Sequence, residues 1–475
     1  MTFYDQKFGN SVPAPKTQVL TPKVPAPKPS GITKLANAVV PEKRRKTLAY
    51  SALLTFSFLY FARPEDFIPG MVAIPVGKIS GGLALLGLLL SWRKLGGKMP
   101  LAIKLVLVLL AHMCVTVVFA FWRGGAFEVV RDEFSKAAIV AVIVSMIVVS
   151  IAELRQMLWV QAVSVAAMTI ASIVVHPTAA GHHTIRLWGL GGVFSNPNDF
   201  AINIAINFPL CLAFFFWAKG VLKKLLWGTA LLFLMYGVIA TYSRSGLIAM
   251  VICCIICLWE FGIKGKRPIL IVAAILVVMA GGGLAITNPR YVARISTLVK
   301  GGDVEGSLDQ GSLDARRELL IESIHVTVQH PIFGVGPGNF QAITQSWHVT
   351  HNTYTELSSE TGLPGLALFL AILYLTFRSL KKIRKSPAHR DDPQIRLFTS
   401  ALKAGAGAYI VGACFASTAY TLFPYFMVAY VSALDKICSS PGFTQDQQPV
   451  GTSLNSRNSQ SSYGKQEQHA LAGAR

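Results

Sequence analysis

His351 and Asn352 stand side by side where a polar segment of the sequence meets an apolar run. The stretch from His351 to Leu366 reads HNTYTELSSETGLPGL and leads into residues of membrane-spanning character. A histidine exchanges protons near neutral pH, so one at the edge of a membrane helix can act as a general base on a substrate held in the bilayer. The alternative is that His351 only caps or anchors the helix at the interface.

Two arginines outside the apolar runs, Arg186 and Arg244, have the chemistry to bind an anion. Arginine is costly near a bilayer and usually takes a partner there. Few carboxylates lie beside either residue in the sequence, which leaves an anionic ligand open, and a planar guanidinium suits a phosphate or pyrophosphate. The alternative for each arginine is an interfacial anchor or a structural ion pair.

The elements that must position these residues are membrane helices. The chain has 475 residues, a mean hydropathy of +0.50 and only 14% charged residues, far less charge than a soluble protein exposes. Apolar runs close to the length that a bilayer requires recur along the chain. The sequence therefore predicts an all-α, polytopic integral membrane bundle.

The apolar runs also explain the net charge of +21. Most lysines and arginines lie in the tails and in short loops beside these runs, which is typical of membrane topology and not of nucleic-acid binding. About twelve transmembrane helices are predicted, near 47–62, 72–92, 101–122, 134–152, 157–175, 198–217, 225–242, 245–262, 268–287, 362–380, 401–420 and 422–437. Starting from a cytoplasmic N-terminus, the loops rich in lysine and arginine fall on the inside, and both termini are predicted to be cytoplasmic.

The chain is predicted to have three parts. Residues 1–46 form a Pro/Lys-rich tail and residues 438–475 a tail rich in Ser, Gln and Asn, and both are expected to be disordered. Residues 47–437 form the transmembrane domain. Its large outer loop, about 288–361, lies between the ninth and tenth predicted helices and ends with His351.

Polar side chains collect on the predicted outer face. Asp199, Asn203 and Asn207 are spaced by four residues, so they share one helix face that must point at protein or water and not at lipid. An amphipathic helix is predicted at about 313–329, and the glycine-rich turn FGVGPGNF follows at 333–340.

The sequence indicates neither a metal site nor a disulfide framework. Six of the seven cysteines lie within apolar runs, and Cys253, Cys254 and Cys257 have no nearby histidine or carboxylate to complete a metal site. The acidic run at 303–309 lacks a calcium-loop pattern. We therefore expect no metal and no other cofactor.

Four stretches in this order resemble the bacterial O-antigen ligase and polysaccharide polymerase family: GVFSNPNDFAINIAINFPL at 192–210, TYSRSGLIAM at 241–250, HPIFGVGPGNF at 330–340 and HNTYTELSSETGLPGL at 351–366. The resemblance covers roughly residues 180–380. It implies a metal-independent, inverting glycosyltransferase of the bacterial inner membrane. The implied donor is an undecaprenyl-pyrophosphate-linked glycan, and the acceptor is a glycan or the lipid A core.

The family's functional positions correspond to Arg186, Arg244 and His351 as catalytic residues. Their expected roles are to hold the pyrophosphate with the two arginines and to deprotonate the acceptor hydroxyl with the histidine. Asn198, Asn352, Tyr354 and Arg316 are expected to contact substrate. The sequence departs from the family after Arg316, where an aromatic residue is often found and Glu318-Leu319-Leu320 stands here.

Two other functions stay open at this stage. A transporter of a small solute or a lipid-linked glycan shares the many apolar helices, although such carriers usually place acidic residues near the bilayer midplane and the predicted spans hold almost none. A scaffold of envelope assembly would not need His351. The sequence also does not distinguish a ligase from a polymerase, and it does not identify the sugars.

Overall fold

The fold is known from a computed structural model that describes residues 47–66, 68, 71, 75–95, 98–175, 186–189, 191–268, 270, 310–344 and 348–440. Every regular element among these residues is helical, so the predicted all-α class is confirmed. The two predicted tails, the predicted span at 268–287 and the start of the long loop lie outside the described residues, apart from 268, 270 and 438–440.

The helices follow one another in a simple order. They are α1 (Leu48–Ala62), α2 (Val76–Leu95), α3 (Leu101–Val118), α4 (Arg123–Val129), α5 (Ser135–Ile147), α6 (Ile151–Val175), α7 (Pro197–Trp217), α8 (Val221–Ala240), α9 (Arg244–Cys257), α10 (Gln310–Gln329), α11 (Phe340–Thr344), α12 (Thr353–Lys385), α13 (Pro387–Asp391), α14 (Pro393–Gly412) and α15 (Leu422–Cys438). A π-helical turn, Val130–Phe134, joins α4 to α5, and another, Leu258–Ile263, extends α9.

Six of the described helices are long and apolar enough to cross a bilayer. They are α3, α6, α7, α8, α9 with its π-helical extension, and α12. Each predicted span except that at 268–287 coincides with a helix, but several of these helices are shorter than a bilayer requires. The protein is therefore a multi-pass membrane protein, while the number of about twelve spans stays a prediction.

Helix α7 is the most enclosed of the six, with 78% of its apolar stretch buried among other helices, against 22% for α8. Its polar face points inward as the spacing predicts: Asn203 and Asn207 are buried, and Asn207 Oδ1 accepts a hydrogen bond from Gln161 Nε2 at 2.6 Å. The Asn207 amide in turn donates to the carbonyl oxygen of Asn203 at 2.8 Å. These bonds satisfy polar groups that the hydrocarbon of a bilayer cannot satisfy.

Helix α12 is broken at Gly362 and Pro364. Gly362 has a φ of 74°, and a Cβ at this position would lie 2.3 Å from the carbonyl oxygen of Ile332, so the break requires glycine. Pro364 has no N–H, which leaves the carbonyl of Glu360 without its helical donor. That carbonyl accepts a hydrogen bond from the N–H of Gly336 at 2.9 Å instead. The glycine turn at 333–340 therefore docks into the break of α12.

Candidate functional site

Three of the four sequence stretches that resemble the O-antigen ligase family contain a helix N-terminus, and each N-terminus has a side-chain cap. Asn196 accepts from the N–H of Asn198 at 2.8 Å at the start of α7, and Ser243 accepts from the N–H of Gly246 at 3.1 Å at the start of α9. Asn352 caps α12. A helix N-terminus carries a partial positive charge and attracts anions, so these three ends suit a negatively charged ligand.

Arg186 joins the starts of α7 and α9. Its Nε donates to the carbonyl oxygen of Thr241 at 2.9 Å, and its Nη2 donates to Oδ1 of Asn198 at 2.9 Å. The same Oδ1 accepts from the hydroxyl of Ser243 at 2.8 Å. The structure thus brings Arg186 and Asn198, two residues singled out in the sequence, to the turn that precedes Arg244.

Arg244 is the half-buried first residue of α9. The turn before it is tightly defined, because Tyr242 adopts a φ of 50° and the hydroxyls of Ser243 and Ser245 lie 2.9 Å apart. A Cβ on Gly246 would lie 2.2 Å from the Cβ of Ala201, so only glycine lets α9 approach α7 this closely. The backbone that carries Arg244 is therefore fixed by packing and by hydrogen bonds.

His351 lies in a left-handed conformation just before α12, with a φ of 53°. Non-glycine residues adopt this conformation rarely, and asparagine, aspartate and histidine do so most often. The N–H of His351 donates to the hydroxyl of Ser417 at 3.0 Å, and the N–H of Thr353 donates to the carbonyl oxygen of Ala413 at 2.8 Å. The segment that follows α14 therefore holds the histidine in place.

The imidazole of His351 is set up as a neutral group. Burial lowers the pKa of His351 from 6.5 to about 4, helped by the positive charge of Arg316 and by His348. Within the described part of the chain, its ring nitrogens make no hydrogen bond. An exposed histidine has a pKa near 6.5. The lower pKa of His351 follows from its burial, which is a property of the fold and not of the local sequence. At neutral pH the ring is thus uncharged and able to accept a proton.

Arg316 connects the histidine to the start of α7. It is half-buried on α10 and interacts electrostatically with both His351 and Asp199. Asp199 directly follows Asn198, the residue that binds Arg186. Arg316 therefore lies within electrostatic range of both His351 and the start of α7.

Two carboxylates of this region, Glu356 and Glu360, were not recognised in the sequence. Both are buried in the first turns of α12, and they interact electrostatically with each other; Glu356 also does so with Glu133 and Asp199. The predicted apolar run began only at residue 362, so the two residues were assigned to a loop. Their four-residue spacing next to a Gly-Leu-Pro-Gly sequence is the signal that indicates one polar helix face.

Glu360 holds the glycine turn and the segment after α14 together. Its Oε2 accepts from the N–H of Gly338 at 2.7 Å and from the hydroxyl of Tyr420 at 2.6 Å, and its Oε1 accepts from the N–H of Phe340 at 3.3 Å. Tyr420 is buried, so its hydrogen bond to Glu360 is shielded from solvent. Among the described residues, no three histidine, cysteine, aspartate or glutamate side chains are grouped to hold a metal ion.

Asn352 and Tyr354, expected to contact substrate, also have structural partners. Asn352 Oδ1 accepts from the N–H of Tyr354 at 3.0 Å and from that of Thr355 at 3.2 Å, which makes it the cap of α12. The Tyr354 hydroxyl donates to the carbonyl oxygen of Ile410 at 2.9 Å, on the neighbouring helix α14. Substrate contacts by these two residues stay predictions.

Comparison with known proteins identifies one part of the chain. No curated protein matches the chain at a significant level. The family model Wzy_C, described as O-Antigen ligase, matches residues 228–370. The match includes Arg244, Arg316 and His351; Arg186 and Asn198 lie outside it but are hydrogen-bonded to residues within it. Together with the membrane helices, this match supports a membrane enzyme that processes glycans. Residues 228–370 are thus similar to the O-antigen ligase family, and the rest of the chain lies outside that match.

Proposed function

We propose that this protein is a metal-independent glycosyltransferase of the bacterial inner membrane. It transfers or polymerises a glycan from an undecaprenyl-pyrophosphate-linked donor onto an acceptor sugar at the outer face of the membrane. The observation that supports this proposal is that a neutral, left-handed His351 and Arg244, at the capped start of α9, both lie within the segment that matches the O-antigen ligase family model. Arg186 lies outside that segment but is hydrogen-bonded to Thr241 within it. The proposed transfer requires a base for the acceptor hydroxyl and groups that stabilise an anionic leaving group, and these residue types have that chemistry.

In the proposed reaction, His351 takes the proton from an acceptor hydroxyl as its oxygen forms a bond to C1 of the donor sugar. The bond from C1 to the pyrophosphate oxygen breaks, and undecaprenyl pyrophosphate leaves with the bonding electrons. Attack from the face opposite the leaving group inverts C1. A general base of this kind contributes about 10²–10⁴ in rate.

Arg186 and Arg244 are assigned to the departing pyrophosphate. The hydrogen bonds of Arg186 to Thr241 and Asn198 orient its guanidinium. Arg244 directly follows a turn whose backbone is held by hydrogen bonds. Preorganised cations stabilise charge that develops on a leaving group without reorganising during the reaction. Arg316 is assigned to the acceptor side, where its positive charge adds to the effect of burial in lowering the pKa of His351.

The acceptor class separates two versions of the proposal. A ligase moves a finished glycan onto the lipid A core, whereas a polymerase joins repeat units to a growing chain. Purified protein given a lipid-linked repeat unit alone makes long chains only if it is a polymerase. A requirement for added lipid A core identifies the ligase.

A proton-coupled transporter is the second candidate, and Glu356 and Glu360 favour it. Buried carboxylates within membrane helices are the usual carriers of coupled protons. Glu260, another acid of the apolar helices, has a different setting, because its Oε1 lies 2.7 Å from Lys403 Nζ and 3.1 Å from Arg384 Nη1. Such charge pairing suits a structural role.

An activity assay in detergent distinguishes the two candidates. A transporter cannot be active there, because a micelle does not separate two compartments. We expect purified wild-type protein in detergent to form the transferred glycan from the lipid-linked donor, with the same yield when a chelator is added. Absence of product in detergent, together with uptake of the glycan into proteoliposomes, would establish the transporter instead. Loss of product with chelator would contradict metal independence.

A further inference from the structure

A groove of about 910 Å³ lies far from the His351 site, between α6, the end of α7 and the start of α8. It is lined by Phe214 and Trp217 near the C-terminus of α7, whereas Asn198 lies at the N-terminus of that helix. Helix α7 has 21 residues, which at about 1.5 Å per residue is roughly 30 Å, the hydrocarbon thickness of a bilayer. The groove and the candidate site are thus at opposite ends of α7.

The walls of the groove are apolar and aromatic. Trp159, Trp217 and Trp227 line it, and Trp227 stacks on Phe214 with ring centroids 5.1 Å apart. Trp159 is 48% exposed, so its indole is accessible from outside. Tryptophans concentrate where a bilayer meets water, because the ring is apolar and its N–H is polar.

One end of the groove is positively charged. Arg155, Lys219 and Lys223 line it at the start of α6 and at the start of α8. From its first residue, Val221, to Ala230, α8 follows the groove for roughly 14 Å, a little under half of a ~30 Å hydrocarbon core. The basic end of the groove suits an anionic headgroup, and the apolar wall is about as long as the acyl region of one leaflet.

The start of α8 adds a second indication of an anion. The helix has no side-chain cap at Gly220 and no acidic residue in its first turn, which instead contains Lys223 and Lys224. Lysines at the positive end of a helix dipole are unfavourable, whereas a phosphate at this end is favourable. A bound anion would satisfy the helix N–H groups and relieve the repulsion among these lysines.

We propose that this groove binds an anionic glycerophospholipid of the adjacent leaflet, with its phosphate at Arg155, Lys219 and Lys223 and an acyl chain along the tryptophan-lined wall. This binding site is separate from the candidate transfer site, since the groove lies at the C-terminal end of α7 and Asn198 at its N-terminal end. The leaflet concerned is the one at the face that the basic loops predict to be cytoplasmic. Basic side chains near the surface of that leaflet attract its anionic lipids.

The test uses the full chain in nanodiscs made from equal parts of phosphatidylcholine and phosphatidylglycerol. Native mass spectrometry, after release from the nanodisc, counts the lipids of each kind that stay bound. We expect the wild type to retain phosphatidylglycerol over phosphatidylcholine, and the double variant Lys219→Gln/Lys223→Gln to lose that preference on the order of tenfold. Ala167→Trp, at an exposed alanine of the apolar wall, should lower retention without any change of charge.

The matched control is Lys381→Gln/Lys385→Gln, which removes two exposed lysines from the predicted cytoplasmic end of α12, outside the groove. It should keep the wild-type preference. An equal loss in the control would show that only general surface charge attracts the lipid, and equal retention of both lipids by the wild type would show no headgroup selectivity. Retention unchanged by Ala167→Trp would place the lipid elsewhere. Each of these three results would overturn the proposal.

Discussion

The side-chain oxygen of Asn198 lies 2.9 Å from Nη2 of Arg186 and accepts a hydrogen bond from it. The same oxygen accepts from the Ser243 hydroxyl at 2.8 Å, so a single amide group connects the starts of α7 and α9. Asn198 is buried, so a lost bond here is not replaced easily by water. The orientation of Arg186 therefore depends on a residue 12 positions later in the chain.

The first prediction follows from that relationship. Asn198→Ala should lower glycan transfer roughly tenfold or more, because Arg186 and Ser243 both lose the acceptor that orients them. The matched control is Asn196→Ala in the same turn, which removes the cap of α7 at a cost of about 1 kcal/mol but leaves the Arg186 acceptor in place. Equal activity losses in the two variants, after correction for folded protein, would mean that Asn198 acts only through the stability of α7.

The second prediction concerns the two arginines. Arg186→Lys and Arg244→Lys should each lower transfer by roughly 10²-fold, because a lysine keeps the charge but not the planar fork that binds pyrophosphate. Arg317→Lys, an exposed arginine on α10, is the control and should be neutral. Initial rates with purified protein and lipid-linked donor provide the measurement. Near-normal rates in Arg186→Ala and Arg244→Ala would remove the arginines from the mechanism.

The third prediction is a pH dependence. A group whose pKa is lowered in the folded protein resists protonation, so His351, with a pKa of about 4, stays neutral well below pH 6.5. The kcat/KM profile, which reports the free enzyme, should therefore show no acid limb near 6.5 between about pH 5.5 and 8. In Arg316→Gln the nearby cation is gone, so the pKa of His351 should rise and an acid limb should move toward neutral pH. A wild-type profile that halves near pH 6.5 would contradict the burial of the ring.

The same shift affects stability. Between about pH 4 and 6.5 the unfolded chain binds a proton at His351 that the folded protein does not bind, so this residue lowers stability as the pH falls through 6.5. His351→Asn should therefore make the melting temperature less sensitive to acid in that window. Thermal unfolding at several pH values measures the difference from the wild type.

The fourth prediction tests the role of Glu360. Glu360→Gln should destabilise the protein by about 1–3 kcal/mol, because an amide nitrogen then faces one of the N–H or O–H donors that the carboxylate accepts from. Tyr420→Phe removes the hydroxyl donor and leaves no donor facing a donor, so it should destabilise the protein less than Glu360→Gln does. Glu318→Gln, at an exposed site on α10, is the neutral control. A melting temperature of Glu360→Gln equal to that of the control would show that the glycine turn docks without this carboxylate.

Much of the fold could be predicted from the sequence, because apolar runs and helix caps are local signals. The polar face of α7 followed from the spacing of Asn203 and Asn207, and the end of α10 at Gln329 followed from the His330-Pro331 pair. The Gly-Leu-Pro-Gly sequence indicates a break in α12, but it does not show that the glycine turn at 333–340 docks there. The docking of the glycine turn uses the carbonyl of Glu360, which Pro364 leaves without a helical donor. Only the folded backbone shows that the N–H of Gly336 bonds to it.

The sequence predicts which residues could belong to the candidate site, but it does not predict which of them lie near one another in the fold. The histidine and both arginines stood out by residue type, but the link from Arg316 to Asp199 and His351 joins three segments distant in the chain. The depressed pKa of His351 has the same origin, since burial is a property of the fold. Glu356 and Glu360 were overlooked because nine helical residues, 353–361, precede the apolar run that marked this helix.

The most direct test of the account is the transfer rate of His351→Asn. Asparagine tolerates the left-handed backbone of this position, so the variant removes the base while the strain and fold stay nearly the same. His330→Asn, at an exposed histidine beyond α10, is the matched control. We measure transfer from purified lipid-linked glycan in detergent, together with thermal unfolding and donor binding.

We predict that His351→Asn unfolds near the wild-type temperature and binds donor, but transfers glycan about 10²–10⁴-fold more slowly, while His330→Asn keeps most of its activity. A His351→Asn protein that is folded, binds donor and turns over at a rate close to the wild type would show that the base lies elsewhere and would contradict the proposed mechanism.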